Sequence, residues 1–88
     1  MSARRIVQEP EFQDALRELA CPRARWMVQQ LAGLLLAYPQ SGLAIDGSTL
    51  RVVHTNVYED LPALRLYYRF DDKALYLIGV EVYDPLLP

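Results

Sequence analysis

The sequence is poor in residues that build disulfides and metal sites, since its 88 residues include one cysteine, Cys21, and one histidine, His54. A lone cysteine excludes an internal disulfide framework. Together with one histidine it also supplies too few ligands for a structural zinc site. We therefore expect no metal site and no bound cofactor.

Long hydrophobic runs are absent as well. The longest apolar run, residues 31–38, is far shorter than the roughly 20 residues that span a bilayer. Arg4 and Arg5 lie near the start, but Glu9 and Glu11 follow them in place of the apolar segment of a secretory signal. We expect a cytoplasmic protein that has no membrane partner.

The chain also lacks an excess of basic charge. Its nine lysines and arginines are outnumbered by eleven acidic residues, which gives a formal charge of −2. Non-specific binding to nucleic acid depends on basic excess, so a role on nucleic acid would require the arginines to gather on one face. Because 52% of the residues are hydrophobic and 23% are charged, we expect an ordinary globular fold, with a single domain over residues 1–88.

Two helices are predicted in the first half, after a short β-compatible segment at residues 4–7. Pro10 suits the first position of a helix, and apolar residues then recur at helical spacing from Phe12 onwards. Pro22 interrupts this pattern, because proline lacks a backbone N–H and disfavours helical geometry in the residue before it. The second helix is predicted over residues 23–37.

The second half has the period of β-strands. Strands are predicted at residues 49–55, 63–70 and 74–83, separated by a polar loop and by a tight turn. The continuous apolar run in the last strand indicates a central strand that is covered on both faces. The predicted fold class is α+β, in the order β-α-α-β-β-β, with a helical hairpin packed on an antiparallel sheet.

The strand at residues 63–70 carries the first candidates for chemistry. Arg65 and Arg69 leave the same face about 13 Å apart, and Tyr67 lies between them. Two guanidinium groups beside an aromatic ring suit a phosphate backbone with a stacked base. The same pattern is also that of a plain solvated strand face. The usual motifs of hydrolases, kinases and metalloenzymes are absent from the sequence.

Two further residues have the chemistry of acid–base catalysis. His54 is the only imidazole, and it is interpreted either as a general base or as a surface residue at a strand end. Tyr83 ends the last strand. It shares a face with Arg65 if the turn at residues 71–73 acts as a three-residue loop, and not if the loop has two residues. Glu81 has the same parity as Tyr83, so the same alternative governs it.

The helix start at residues 10–16 (PEFQDAL) and the strand and turn at residues 64–72 (LRLYYRFDD) resemble the RelE/ParE superfamily of type II toxin–antitoxin toxins. In its RNA-cleaving branch, the resemblance implies a compact fold that enters the ribosomal A site and cuts mRNA without a metal. It implies catalytic roles for Arg65, Tyr83 and His54. RNA binding is expected of Arg51, which lies on the strand where that branch carries basic residues. It is also expected of Tyr67 and Arg69, from the strand pattern described above.

Two features of the sequence depart from the RNA-cleaving branch. No basic residue follows Lys73, and the overall charge is acidic. The resemblance therefore leaves two alternatives open: a ParE-like inhibitor of DNA gyrase without catalytic activity, or a catalytically degenerate interaction domain of the same fold. In either toxin branch the expected partner is a cognate antitoxin protein, which would contact apolar surface along the strand edges or the helical hairpin. Ribosome and mRNA are the further partners of the nuclease hypothesis.

Overall fold

The computed structural model describes residues 4–19, 21–55 and 62–83. The elements are β1 (Arg5–Gln8), α1 (Pro10–Glu18), α2 (Pro22–Ala37), a 3-10 turn (Pro39–Ser41), β2 (Leu43–Ala44), β3 (Arg51–His54), β4 (Ala63–Phe70) and β5 (Ala74–Tyr83). The predicted α+β class and the order of the predicted elements are confirmed. The two-residue strand β2 is an addition.

Proline residues set the starts of both helices. Pro10 and Pro22 each occupy the first turn of their helix. Backbone N–H groups in the first turn have no intrahelical partner, so proline, which lacks this group, costs the helix no hydrogen bond there. Cys21 before Pro22 is extended, with φ −132° and ψ 107°, so its backbone is not helical at the start of α2. The predicted break at this dipeptide is confirmed.

The sheet is mixed, with strand order β1-β5-β4-β3-β2. The later strands are antiparallel neighbours, as predicted, but β1 pairs with β5 in parallel, and Arg5 lies opposite Ala74. The prediction of an antiparallel sheet therefore holds for the later strands alone. β5 is hydrogen-bonded to β4 along one edge and to β1 (Arg5–Gln8) along the other, so it lies inside the sheet.

Both helices pack on one face of the sheet, which we call the inner face. Phe12 of α1 and Val28 and Leu35 of α2 are buried against alternate residues of the two longest strands. The strand residues of this core are Leu64, Leu66, Tyr68, Leu75, Leu77 and Val80.

The opposite face of the sheet, which we call the outer face, differs from one prediction. β5 is central, as expected, but within the described residues no element lies over its outer side, where Tyr76 and Gly79 are half-buried and Glu81 is exposed. Neighbouring side chains provide the shielding instead. The Tyr67 ring, for example, approaches within 3.9 Å of the position that a Cβ atom would take on Gly79.

A β-bulge in β5 determines which side chains reach the outer face. Tyr68 lies opposite Leu77 whereas Tyr67 lies opposite Gly79, so Ile78 has no partner on β4. One extra residue in a strand moves every side chain beyond it to the opposite face of the sheet. As a result Arg65 lies opposite Glu81.

The bulge resolves the alternative that the turn left open. The hairpin turn sets Phe70 opposite Leu75, and this register continued along the strands would put Arg65 opposite Val80. Tyr83 would then face the helices. It shares the outer face with Arg65 because Ile78 is inserted, and not because of the length of the loop at residues 71–73.

Candidate active site on the outer sheet face

Three strands place a histidine, an arginine and a carboxylate in one row on the outer face. His54 of β3 lies opposite Arg65 of β4, and Arg65 lies opposite Glu81 of β5. Residues directly opposite each other on one sheet face are close enough for their side chains to interact. Tyr83 follows two residues after Glu81, on the same face.

Arg65 is held from two sides. Its Nη1 donates to Oε1 of Glu81 at 3.2 Å, and its guanidinium carbon lies 4.4 Å from the centre of the Tyr83 ring. The hydrogen bond to Glu81 holds the pKa of Arg65 above its ordinary value. Because the side chains of Arg65 and Glu81 are 39% and 48% exposed, their ion pair contributes little to stability and serves mainly to orient the guanidinium.

Glu81 accepts a second hydrogen bond, from the Tyr67 hydroxyl at 2.7 Å. That bond is the main reason why the pKa of Glu81 lies below its usual range, and the bond from Arg65 acts in the same direction. The same contact raises the pKa of Tyr67, and partial burial adds to the effect. At neutral pH the site therefore contains a carboxylate, an arginine and a protonated phenol in contact.

His54 joins the same group through Tyr83. The two ring centres are 5.3 Å apart and the ring planes meet at 69°, which is an edge-to-face contact. His54 is exposed at the end of β3, and it also lines a groove of about 280 Å³ beside α2, together with Trp26, Leu34 and their neighbours. The structure thus brings together the three side chains for which catalytic roles are predicted.

Of the residues predicted to bind RNA, Tyr67 and Arg69 share this face and Arg51 does not. Arg69 lies further along β4, where its guanidinium carbon is 3.9 Å from the centre of the Tyr76 ring. Arg51 faces the inner side, opposite Tyr68, and its Nη1 donates to the carbonyl oxygens of Gly42 at 2.8 Å and Gln40 at 3.4 Å. It holds the segment before β2, and we leave it out of the candidate site.

Glu81 is the residue to which sequence reasoning gave no role. Its parity with Tyr83 was the available signal, but the face that both occupy depends on the bulge at Ile78. An isoleucine inside an apolar run carries no local mark of a bulge, so the contact between Glu81 and Arg65 becomes visible only in the structure.

Two properties of the described residues bear on the classes of function. Within residues 4–19, 21–55 and 62–83, no group of three histidine, cysteine or acidic residues is placed to hold a metal ion. The helices in the same ranges are too short or too polar to cross a membrane.

Comparison with known proteins gives a likeness in structure rather than in sequence. No protein-family model and no curated protein matches the sequence. A chain of the crystal structure of the intact E. coli RelBE toxin–antitoxin complex superposes with a TM-score of 0.71 at 15% sequence identity, over 93% of this chain and 99% of that chain. The protein therefore shares the fold of that chain, which confirms the RelE/ParE-like fold expected from the sequence.

Proposed function

We propose that this protein is the toxin component of a type II toxin–antitoxin system and inhibits growth by cleaving mRNA on the ribosome in the cytoplasm, without a metal. The observation that carries the proposal is the convergence of Arg65, Tyr83 and His54 on one open sheet face, with the arginine held in a fixed orientation. The shared fold with a chain of a toxin–antitoxin complex supports the toxin class.

The proposed chemistry is attack of an RNA 2′-hydroxyl on the adjacent phosphate. The His54 imidazole takes the proton of the 2′-hydroxyl, the 2′-oxygen bonds to phosphorus, and the bond from phosphorus to the 5′-oxygen breaks. Tyr83 donates its phenolic proton to the departing 5′-oxygen, which leaves a 2′,3′-cyclic phosphate and a 5′-hydroxyl. No redox partner or further reactant is required.

Arg65 has the electrostatic role in this scheme. The pentacoordinate phosphorus carries more negative charge on its oxygens than the starting diester, and a guanidinium donates to two of them with fixed geometry. One such preorganised donor is worth about 10²–10³ in rate. Within the described residues Glu81 accepts from Nη1 of Arg65 at 3.2 Å, and Tyr67 is the other hydrogen-bonding neighbour of the guanidinium. We propose that the N–H groups directed away from these two side chains bind the phosphate.

An antitoxin is the partner that this proposal requires, and apolar surface on α2 is suited to it. Trp26, Leu34 and Tyr38 are 59%, 61% and 68% exposed, which is high for large hydrophobic side chains. Leu43 on the edge strand β2 is 69% exposed. We propose that the antitoxin covers part of this surface, in keeping with the expected contact along the helical hairpin or a strand edge.

The test is inducible expression in a bacterial host, with growth and mRNA integrity followed together. The wild-type chain is expected to arrest growth with fragmented mRNA, and Arg65→Ala is expected to lose both effects. Arg25→Ala is the matched control, because Arg25 is exposed on α2 and lies outside the site. Fragmented mRNA in cells that express Arg65→Ala would show that the catalytic assignment is wrong.

A gyrase inhibitor is the second candidate, and one contact favours it. Glu81 already provides an anion to Arg65, which reduces the attraction of this guanidinium for phosphate. Arrest with intact mRNA, filamentous cells and inhibited DNA supercoiling would identify this function. Expression without any arrest would instead indicate a degenerate interaction domain.

A further inference from the structure

The charges of this acidic protein are segregated along the sheet. Five of its nine basic residues lie at the end that contains the β4–β5 turn, together with three of the eight acidic residues that the structure describes, Asp46, Asp71 and Asp72. We call this group of cations the basic end. Its members are Arg4, Arg5, Arg51, Arg69 and Lys73.

Strand pairing brings these cations together from four parts of the chain. Arg5 starts β1 opposite Ala74, and its N–H donates to the carbonyl of Lys73 at 3.2 Å. The guanidinium carbons of Arg4 and Arg51 lie 5.5 and 5.7 Å from the centre of the Phe70 ring. Both arginines are therefore within about 11 Å of each other, beside one aromatic ring.

Carboxylates neutralise this cluster only in part: the charge of Arg69 helps to lower the pKa of Asp71, but the two side chains form no ion pair. Within the part of the chain that the structure describes, none of the five cations forms an ion pair. Arg4 donates to the carbonyl of Asp71 at 2.6 Å, whereas the Asp71 carboxylate accepts from the backbone N–H groups of Lys73 and Ala74. Those two backbone bonds lower the pKa of Asp71 and hold its carboxylate within the turn.

The chemistry of the basic end fits a phosphodiester chain. Guanidinium groups bind phosphate oxygens through paired N–H donors, and aromatic rings beside them offer surfaces on which bases stack. Arg69 and Tyr76 provide such a pair on the outer face. The carboxylates of an acidic polypeptide would bind the cations, but such a polypeptide has no bases to stack on the rings.

The basic end is also continuous with the candidate active site. Arg65, Tyr67 and Arg69 alternate along the outer face of β4, which covers about 13 Å from one arginine to the other. A strand of RNA with one phosphate at Arg65 would therefore continue over Tyr67 towards the β4–β5 turn.

We propose that the basic end is a docking surface for the phosphodiester backbone of single-stranded RNA, and that it supplies the affinity which the net charge of the protein lacks. The path of the RNA strand from Arg65 to the basic end rests on the proposed nuclease function. The binding itself does not require cleavage, so the two proposals are tested separately.

The experiment measures binding of a fluorescein-labelled 2′-O-methyl oligoribonucleotide to the purified chain by anisotropy, over about 50–200 mM salt. The methyl groups block attack by the 2′-oxygen, so failure of the nuclease hypothesis leaves this measurement unaffected. The test variant is Arg5→Gln with Lys73→Gln, since both residues are exposed and lie outside the proposed catalytic group. The control is Arg17→Gln with Arg25→Gln, which removes the same charge from the two helices.

Loss of two phosphate contacts is expected to reduce the slope of log affinity against log salt by about 1.4 and to weaken binding about 25-fold at 0.1 M salt. The control variant is expected to keep the wild-type slope. Equal slopes in the two variants would overturn the proposal, because net charge alone would then explain binding. Equal competition by poly-glutamate and by unlabelled RNA would also overturn it, since the surface would then bind acidic polypeptide.

Discussion

The guanidinium of Arg65 lies over the ring of Tyr83, 4.4 Å from its centre, at a point where two strands end on the outer face. The ring therefore has two separable functions in the proposed chemistry. Its π-face positions the arginine, and its hydroxyl supplies a proton.

The two functions of Tyr83 can be separated by substitution. Tyr83→Phe keeps the ring, so RNA binding is expected to stay within about threefold, while loss of the acid lowers the cleavage rate by about 10²–10⁴. Tyr83→Leu removes the ring as well and is expected to weaken RNA binding further. Single-turnover cleavage of mRNA on programmed ribosomes, measured across concentrations of the protein, gives both quantities. A wild-type rate for Tyr83→Phe would exclude the hydroxyl as the acid.

The pH dependence of stability is expected to report on Glu81. Its pKa lies below the ordinary value of 4.5 in the folded chain, so its ionised form stabilises the fold above pH 4.5, and this contribution is lost as the pH falls below 4.5. Melting temperatures of wild type and Glu81→Gln are therefore expected to differ most at neutral pH and to converge near about pH 3. A difference that grows on acidification would contradict this assignment.

The hydrogen bond between Tyr67 and Glu81 can be tested by combining substitutions at both residues. The Tyr67 hydroxyl donates to Oε1 of Glu81, the oxygen that also accepts from Arg65. Tyr67→Phe removes the donor of that hydrogen bond and Glu81→Ala removes its acceptor. The double variant is therefore expected to lose less stability than the two single losses added together. Additive losses would mean that the bond contributes nothing measurable.

Two glycines offer a matched comparison of stability. A Cβ atom on Gly42 would lie 2.5 Å from the Tyr68 hydroxyl, which accepts from the Gly42 N–H at 2.9 Å and donates to the Pro39 carbonyl at 2.6 Å. Gly42→Ala is expected to cost about 1–3 kcal/mol, because buried Tyr68 has no room to move. Gly33→Ala fills open space in the middle of α2 and is expected to stabilise by about 0.5–1 kcal/mol. Urea denaturation measures both, and equal effects would contradict the packing argument.

Substitution of two exposed leucines tests where the proposed antitoxin would bind. Leu34→Ser removes apolar surface from α2 and Leu43→Ser removes it from the β2 edge, and both side chains are exposed. Burial of a leucine at an interface is worth about 1.5–3 kcal/mol, so the variant on the true contact is expected to weaken the complex by about 10- to 100-fold. Titration calorimetry with the protein encoded by the neighbouring gene makes the measurement. Wild-type affinity in both variants would exclude both surfaces.

The sequence predicts the local structure well wherever one pattern governs a whole element. From Leu64 onwards, Ala63–Phe70 alternates between apolar or aromatic residues on one face and arginine or tyrosine on the other. Ala74–Tyr83 is bounded by a turn and an aspartate, and both strands are found at their predicted limits. The two-residue strand β2 was missed because Leu43–Ala44 is too short to have a period. The parallel pairing of β1 is a relation between distant segments, which no local pattern encodes.

The candidate site depends on contacts between residues that are far apart in the sequence. The residue types at Arg65, His54 and Tyr83 indicated chemistry, but their convergence depends on the register of three strands. Arg51 shows the opposite case. Its strand parity directs it to the inner side, where its Nη1 donates to backbone carbonyls, so it lies away from the candidate active site.

The unpaired residue Ile78 has a genetic consequence. In-frame deletion of its codon would exchange the two faces of the strand end, turning Glu81 and Tyr83 towards α1 and Val80 outwards. Every side chain of the site would remain in the translated sequence, and the hairpin turn would keep its length. Deletion of three nucleotides is therefore expected to separate the side chains of the proposed catalytic group, although a comparison of residue types alone would show only a difference in length.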